Sequence, residues 1–132
     1  MVLVAQADSR IKLLPDAAVR WASDAGKWLG DERCAIFCAE QNGHIVGFII
    51  GWLQSGPPGI TPEQFGIVTE LALDMHQYQQ GAARALLAPL RAWFSERGAD
   101  AVMVLIPHRH PVQQAFWRSL GAAEWMDLLW IK

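Results

Sequence analysis

Residues 69–87, TELALDMHQYQQGAARALL, decide the fold of this chain. An apolar run at residues 68–73 predicts a strand, and a polar, glutamine-rich turn follows it. The turn ends at Gly81, and an alanine- and leucine-rich helix begins directly after it. A glycine turn that enters a helix presents unpaired backbone N–H groups and the positive end of the helix dipole. The stretch therefore predicts a site for the phosphates of a phosphorylated cofactor.

The composition indicates one globular domain over residues 1–132. Hydrophobic residues make up 52% of the chain and charged residues 18%, which excludes a disordered, highly charged tail. The net charge of −2 provides no basic surface for nucleic acid. No apolar run approaches the roughly 20 residues of a membrane helix, and Asp8, Arg10 and Lys12 interrupt any signal-peptide pattern. We therefore expect a soluble, cytoplasmic protein with neither a membrane nor a nucleic-acid partner.

The cysteines and tryptophans carry weaker signals. Cys34 and Cys38 would share one face of a predicted strand roughly 13 Å apart, too far for a disulfide, so we expect buried, inert thiols. The chain contains 7 tryptophans, more than a core of this size needs. The surplus indicates an apolar interface or a ligand groove.

The order of predicted elements is (β)–α–β–β–β–α–β–α–β. A helix begins at Pro15, Asn42-Gly43 joins two strands as a hairpin, and Pro111 begins the last helix. The strands are predicted at residues 2–5 (weakly), 33–40, 44–53, 66–74, 101–106 and 124–131. This order predicts an α/β (α+β) fold, a mixed sheet flanked by helices.

That order, with a glycine turn after the third long strand, resembles the Gcn5-related N-acetyltransferase (GNAT) superfamily over residues 34–132. The cofactor signature of the superfamily reads Arg/Gln-x-x-Gly-x-Gly/Ala. The corresponding frame here is Tyr78-Gln79-Gln80-Gly81-Ala82-Ala83. Gly81 and Ala83 match the signature, whereas Tyr78 stands where arginine or glutamine is usual.

A second segment, residues 110–121, resembles the pattern Asn-Pro-x-Ala-x-x-Phe-Tyr-x-x-x-Gly of the same superfamily. Phe116 and Gly121 match it, while His110 replaces the asparagine and Trp117 replaces the tyrosine. In many members that tyrosine protonates the leaving thiolate, and tryptophan cannot act as an acid in its place. The thiolate then leaves unassisted or is protonated through water, or else the protein is slow or inactive.

The resemblance implies a mostly antiparallel central sheet that binds acetyl-CoA in a cleft where two central strands splay apart. The strand at residues 68–73 would pair with the pantetheine arm, and backbone N–H groups of residues 79–83 would hold the pyrophosphate. The cofactor-binding residues expected on this basis are Leu71, Ala72, Leu73, Tyr78, Gln79, Gln80, Gly81, Ala82, Ala83, Arg84 and His110.

Glu70, in the middle of the cofactor strand, is the candidate general base. An equally weighted alternative is a strand residue that faces solvent or pairs with an arginine. Asp74 and His76 are interpreted as capping or turn residues. His108 and His110 could suggest a metal pair, but without a nearby carboxylate or cysteine ligand we predict no metal.

The resemblance implies acetyl transfer from acetyl-CoA to a primary amine of a small molecule or peptide, with Glu70 and Trp117 at the catalytic positions. One alternative is a non-catalytic CoA- or acyl-CoA-binding regulatory module, which Trp117 and the short segment before Arg33 favour. Another is an unrelated α/β domain without CoA affinity. The superfamily usually places two helices before Arg33 and we find one, so the acceptor site is either open or completed by a second subunit in a homodimer.

Overall fold

A computed structural model describes residues 14–132, and the strand predicted at residues 2–5 lies outside them. None of the helices in this part of the chain has the length and apolar character needed to cross a membrane. The helices and strands follow one another as α1 (Ala17–Trp28), β1 (Cys34–Gln41), β2 (His44–Ser55), β3 (Gln64–Leu73), α2 (Met75–Gln79), α3 (Ala82–Glu96), β4 (Val102–Val104) and α4 (Pro111–Ser119).

The four strands form one mixed sheet in the order β1-β2-β3-β4. The first two pairs are antiparallel and the third is parallel. Asn42 and Gly43 both have positive φ angles, 52° and 80°, which suits a two-residue hairpin turn and confirms the predicted β1–β2 hairpin. The predicted mostly antiparallel sheet flanked by helices is also confirmed.

The main core lies between one face of the sheet and α3. Leu90 and Phe94 on this helix are fully buried. Their close approach depends on Gly51, because a Cβ atom at this residue would lie 2.6 Å from Cζ of Phe94. The other buried members of this core are Ala35, Ile49, Val68, Leu71, Leu73, Ala83, Leu86, Leu87, Ala99 and Trp117.

Helix α1 covers the opposite face of the sheet through aromatic contacts. The ring centroids of Trp21 and Phe48 lie 5.1 Å apart, and those of Trp28 and Trp52 lie 6.0 Å apart. Trp21 and Trp28 also meet edge to face at 6.3 Å. These tryptophans therefore serve to pack α1 on the sheet.

The predicted strand at residues 124–131 is wrong, because the structure forms no strand after α4. Its apolar side chains are 63–92% exposed: Trp125, Met126, Leu128, Leu129, Trp130 and Ile131. Alternation along a strand would place apolar side chains on both of its faces. Such a strand needs cover on both faces, and the described part of one chain does not supply it.

The expectation of two buried thiols is wrong for Cys38, which is exposed, while Cys34 is partly buried. Both cysteines are free. Burial, with a smaller contribution from the nearby Asp31 carboxylate, raises the pKa of the Cys34 thiol to about 11. Cys34 is therefore an unreactive, neutral thiol at physiological pH, as expected for a structural cysteine.

Candidate active site

A cleft opens where β3 and β4 separate. The two strands pair only from Gly66 to Val68 on β3 and from Val102 to Val104 on β4. Strand β3 continues to Leu73 without a partner on that side among residues 14–132. The cleft lies at the position predicted for the splayed strands, with Leu71, Ala72 and Leu73 on its β3 side.

A β-bulge in β3 turns Glu70 away from the main core. Ile50 pairs with Glu70 and the next residue, Gly51, pairs with Val68, so that Thr69 is an extra residue in β3. In an unbroken strand Glu70 and Val68 would share a face, and Val68 faces α3. The bulge instead directs Glu70 towards α1, on the opposite face of the sheet.

The carboxylate of Glu70 is held by Trp21 on α1. Trp21 Nε1 donates a hydrogen bond to Oε2 of Glu70 at 3.0 Å, and the pair is partly buried. Within residues 14–132 Glu70 forms no ion pair, so the alternative of an arginine partner is not observed. The indole N–H fixes the orientation of this carboxylate and engages only one of its two oxygens.

The segment predicted as a polar turn contains the short helix α2. Asp74 accepts a hydrogen bond from the Gln77 backbone N–H at 2.9 Å and so caps α2, which confirms its predicted capping role. Gln79 ends this helix and Gly81 follows with a left-handed φ of 83°. Gly81 is the N-cap of α3, and a Cβ atom there would meet nothing within 4 Å.

The start of α3 presents free backbone donors. Among the described residues, the N–H groups of Ala82, Ala83 and Arg84 have no backbone acceptor, as expected in a first helical turn. Ala82 is partly buried at this point, whereas Ala83 is only 1% exposed and belongs to the main core. The helix dipole adds partial positive charge at the same point. This geometry suits a phosphate group, and the site predicted from the sequence stays a prediction.

A groove of about 380 Å³ lies beside this turn. Gln80, Gly81 and Ala82 line one side, and Cys38 and Glu40 on β1 line the other. The groove contains a carboxylate and no cationic side chain, so any attraction for an anion must come from the backbone N–H groups of α3.

Tyr78 lies against α4 at the edge of the main core. Its ring centroid is 5.7 Å from that of Phe116, and its buried hydroxyl has no hydrogen-bond partner among the described residues. Burial raises the pKa of Tyr78 to about 12, which makes this phenol a poor acid at neutral pH. Its backbone carbonyl accepts a hydrogen bond from the Gly81 N–H at 3.2 Å.

Helix α4 places two further predicted residues. His110 caps the helix, because its Nδ1 accepts a hydrogen bond from the Gln113 backbone N–H at 3.2 Å. Trp117 is 4% exposed, and its indole N–H is buried without a partner among the described residues. Arg84 is exposed on α3 and donates to Oγ of Ser119 at 3.3 Å, which ties α3 to α4.

The predicted residues occupy two regions. Gln80, Gly81 and Ala82 gather at the start of α3, whereas Glu70 faces α1. The sequence did not identify Trp21 as the partner of Glu70, because the two residues are 49 positions apart. The sequence did not identify Gln113 either. Helical spacing could have indicated it, because residue 113 lies three positions after His110 and four before Trp117, on the buried side of α4.

A family model described as "Acetyltransferase (GNAT) family" matches residues 8–122. The chain belongs to the acetyltransferase (GNAT) family. The resemblance inferred from the two motifs is thereby confirmed, and an unrelated α/β domain is excluded. None of the curated proteins is similar enough in sequence to match this GNAT protein.

Solved aminoglycoside acetyltransferases share the GNAT fold. The apo 6'-N-acetyltransferase AAC(6')-IG of Acinetobacter haemolyticus has a TM-score of 0.77 at 14% identity, covering 93% of this chain and 86% of its own. AAC(6')-Iy in complex with CoA has a TM-score of 0.77 at 18% identity, with coverages of 99% and 84%. The soil metagenomic enzyme meta-AAC0020 in complex with sisomicin has a TM-score of 0.71 at 20% identity, with coverages of 92% and 76%.

Proposed function

We propose that this GNAT protein transfers an acetyl group from acetyl-CoA directly to a primary amine of a small molecule. The observation that carries the proposal is the edge of β3 beyond Val68, which β4 does not cover; Glu70 lies on this strand, and the start of α3 follows it in the chain. The Glu70 carboxylate on β3 can accept the proton of the amine, and the start of α3 can hold the phosphates of the cofactor. These are the two tasks that acetyl transfer from acetyl-CoA requires.

The residues present fit acetyl-CoA. The backbone N–H groups of Ala82, Ala83 and Arg84 would hold its pyrophosphate, and Gly81 leaves open space in front of them. The edge of β3 at Leu71 and Leu73 pairs with no strand on that side within residues 14–132, so it offers backbone groups to the amides of an extended arm, as in strand addition.

Bound acetyl-CoA supplies a thioester whose carbonyl carbon can be attacked by the amine nitrogen, forming the C–N bond and releasing the thiolate. Glu70 receives the proton that the amine nitrogen loses, directly or through one water molecule. Its free carboxylate oxygen is the acceptor, since Trp21 occupies the other one. Trp117 can donate a hydrogen bond but no proton, so the proton that neutralises the thiolate comes from water.

Several neighbours in structure support a small-molecule amine as the acceptor. AAC(6')-Iy was solved in complex with a bisubstrate analogue, CoA-S-monomethyl-acetylneamine, and meta-AAC0020 was solved in complex with sisomicin. Identities of 18% and 20% do not transfer those ligands to this chain, but both belong to the amine class that Glu70 could deprotonate. A peptide amine is the second acceptor class in the proposal.

The proposal is tested by titrating the protein with acetyl-CoA in a calorimeter and then measuring thiol release with a panel of primary amines. Saturable binding followed by amine-dependent release of CoA is the expected result. Binding without turnover on any amine would favour the alternative of a non-catalytic CoA-binding module. Absence of binding would exclude both functions.

Trp117 is the observation that favours the non-catalytic alternative, and replacing it separates the two functions. Trp117→Tyr places a phenol where the family pattern has its acid, and we expect turnover to rise by about tenfold or more. Trp117→Phe is the matched control, because it shortens the side chain equally without adding a hydroxyl. Equal turnover in both variants would show that thiolate protonation does not limit the rate.

We further propose that the enzyme is a homodimer in which residues 125–131 of one copy cover the other. These residues are apolar and exposed, and β4 has a strand neighbour on one side only within residues 14–132. Paired with the open edge of β4 in a second copy, the segment would gain both strand hydrogen bonds and cover for its two apolar faces.

The dimer is tested by the mass of the protein in solution, measured by light scattering. Leu129→Asp should convert the dimer to a monomer, because it places a charge inside the proposed interface. Val19→Asp is the control, since Val19 is exposed to a similar extent, 72% against 81%, but lies on α1. A wild-type monomer, or equal effects of the two substitutions, would contradict the proposed interface.

A further inference from the structure

A glutamine side chain on α4 bridges to β3 beside the cleft. Gln113 Nε2 donates a hydrogen bond to the carbonyl oxygen of Leu71 at 3.3 Å. The backbone of Gln113 is fixed in turn, because its N–H donates to His110 Nδ1 at 3.2 Å. Gln113 is only 6% exposed, so its amide lies inside the structure. The bond joins the first turn of α4 to the part of β3 that β4 does not cover.

The Leu71 carbonyl belongs to the edge of β3 that any added strand must use. Strand β4 covers this edge only as far as Val68. A ligand arm that carries amides would pair with backbone groups beyond Val68, and the Leu71 oxygen is one of the acceptors available to it. Gln113 already donates to that oxygen, so a ligand amide must either share the oxygen with the side chain or displace it.

The bridge depends on the identity of residue 113. The pattern that residues 110–121 resemble has alanine at this position, and an alanine methyl group could neither reach β3 nor donate a hydrogen bond. A glutamine buried on the inner stripe of a helix also requires a partner, because an unpaired buried amide is unfavourable. The Leu71 carbonyl provides that partner.

We propose that Gln113 is a latch that keeps the cleft closed and weakens cofactor binding by competing for the Leu71 carbonyl. The inference rests on the proposed function, since acetyl-CoA is the ligand whose pantetheine amide would displace the side chain. Binding must break the Gln113–Leu71 bond and leave the amide to find another partner. Breaking the Gln113–Leu71 hydrogen bond therefore makes the net free energy of CoA binding less favourable.

The test compares CoA affinity by calorimetry in the wild type, Gln113→Ala and Gln113→Met. Both variants remove the donor, and methionine preserves most of the buried volume so that the core stays packed. Loss of one competing hydrogen bond should tighten CoA binding by about 3- to 10-fold. If Gln113 had only a structural role, replacing it would not tighten CoA binding, because damage to the fold weakens binding.

Gln114→Met is the matched control on the same helix. The Gln114 side chain also donates to a carbonyl, that of Pro107 at 3.1 Å, but this acceptor lies outside β3. We expect its CoA affinity to equal that of the wild type. Unchanged or weaker binding in Gln113→Met, with a thermal transition like that of the wild type, overturns the latch alone. A wild type that binds no CoA overturns the proposed function as well, so the two failures are distinguishable.

Discussion

Replacing Glu70 with glutamine is expected to lower kcat/KM for amine acetylation by about 10²- to 10⁴-fold. Glutamine has nearly the same shape, and its amide oxygen can still accept the hydrogen bond from Trp21 Nε1. The fold and the orientation of the side chain are therefore retained, while the ability to accept a proton from the amine is lost. CoA affinity should remain within about twofold of the wild-type value, because Glu70 faces α1 and not the start of α3.

The measurement is the initial rate of CoA release over a range of pH, with Glu63→Gln as the control. Glu63 is an exposed carboxylate in the loop before β3, so its substitution changes the net charge equally without touching the sheet. We expect the rate to fall only in Glu70→Gln, and to stay at the wild-type level in Glu63→Gln. A rate within about threefold of the wild type would show that another group, or water alone, deprotonates the amine.

Local sequence patterns predicted most of the fold. The Asn42-Gly43 pair specified the hairpin because both residues adopt positive φ angles there, and Pro111 marked the start of α4. The strand predicted at residues 124–131 was wrong, because an apolar segment indicates only that the residues would suit a strand. It does not indicate whether a neighbouring strand is positioned to pair with the segment, and none within residues 14–132 does so.

The candidate site was predictable where it depends on backbone conformation. Gly81 has a left-handed φ, as expected for a glycine turn. The unpaired N–H groups were also predictable, because the first turn of every helix has them. The direction of Glu70 was not predictable, because the bulge at Thr69 arises from pairing with β2. The hydrogen bonds of the Trp21 and Gln113 side chains could not be predicted from the sequence either, because each partner lies more than forty positions away in the chain.

Gly81→Asp should reduce CoA affinity by about 100-fold or more while leaving the protein folded. A Cβ atom at this residue would meet no atom within 4 Å, so the substitution does not crowd the turn at that atom. The carboxylate would instead lie beside the N–H groups of Ala82 and Ala83, compete for them and repel the pyrophosphate. The substitution therefore tests charge at the anion site.

The left-handed conformation of Gly81 requires a control that shares its backbone cost. Gly81→Asn provides it, because asparagine has the same size as aspartate and tolerates positive φ values. We expect Gly81→Asn to bind CoA within about tenfold of the wild type by calorimetry, and both variants to melt at similar temperatures. Equal losses in the two variants would assign the effect to backbone strain. Wild-type affinity in Gly81→Asp would mean that the pyrophosphate binds elsewhere, since no carboxylate could lie at the proposed anion site without weakening binding.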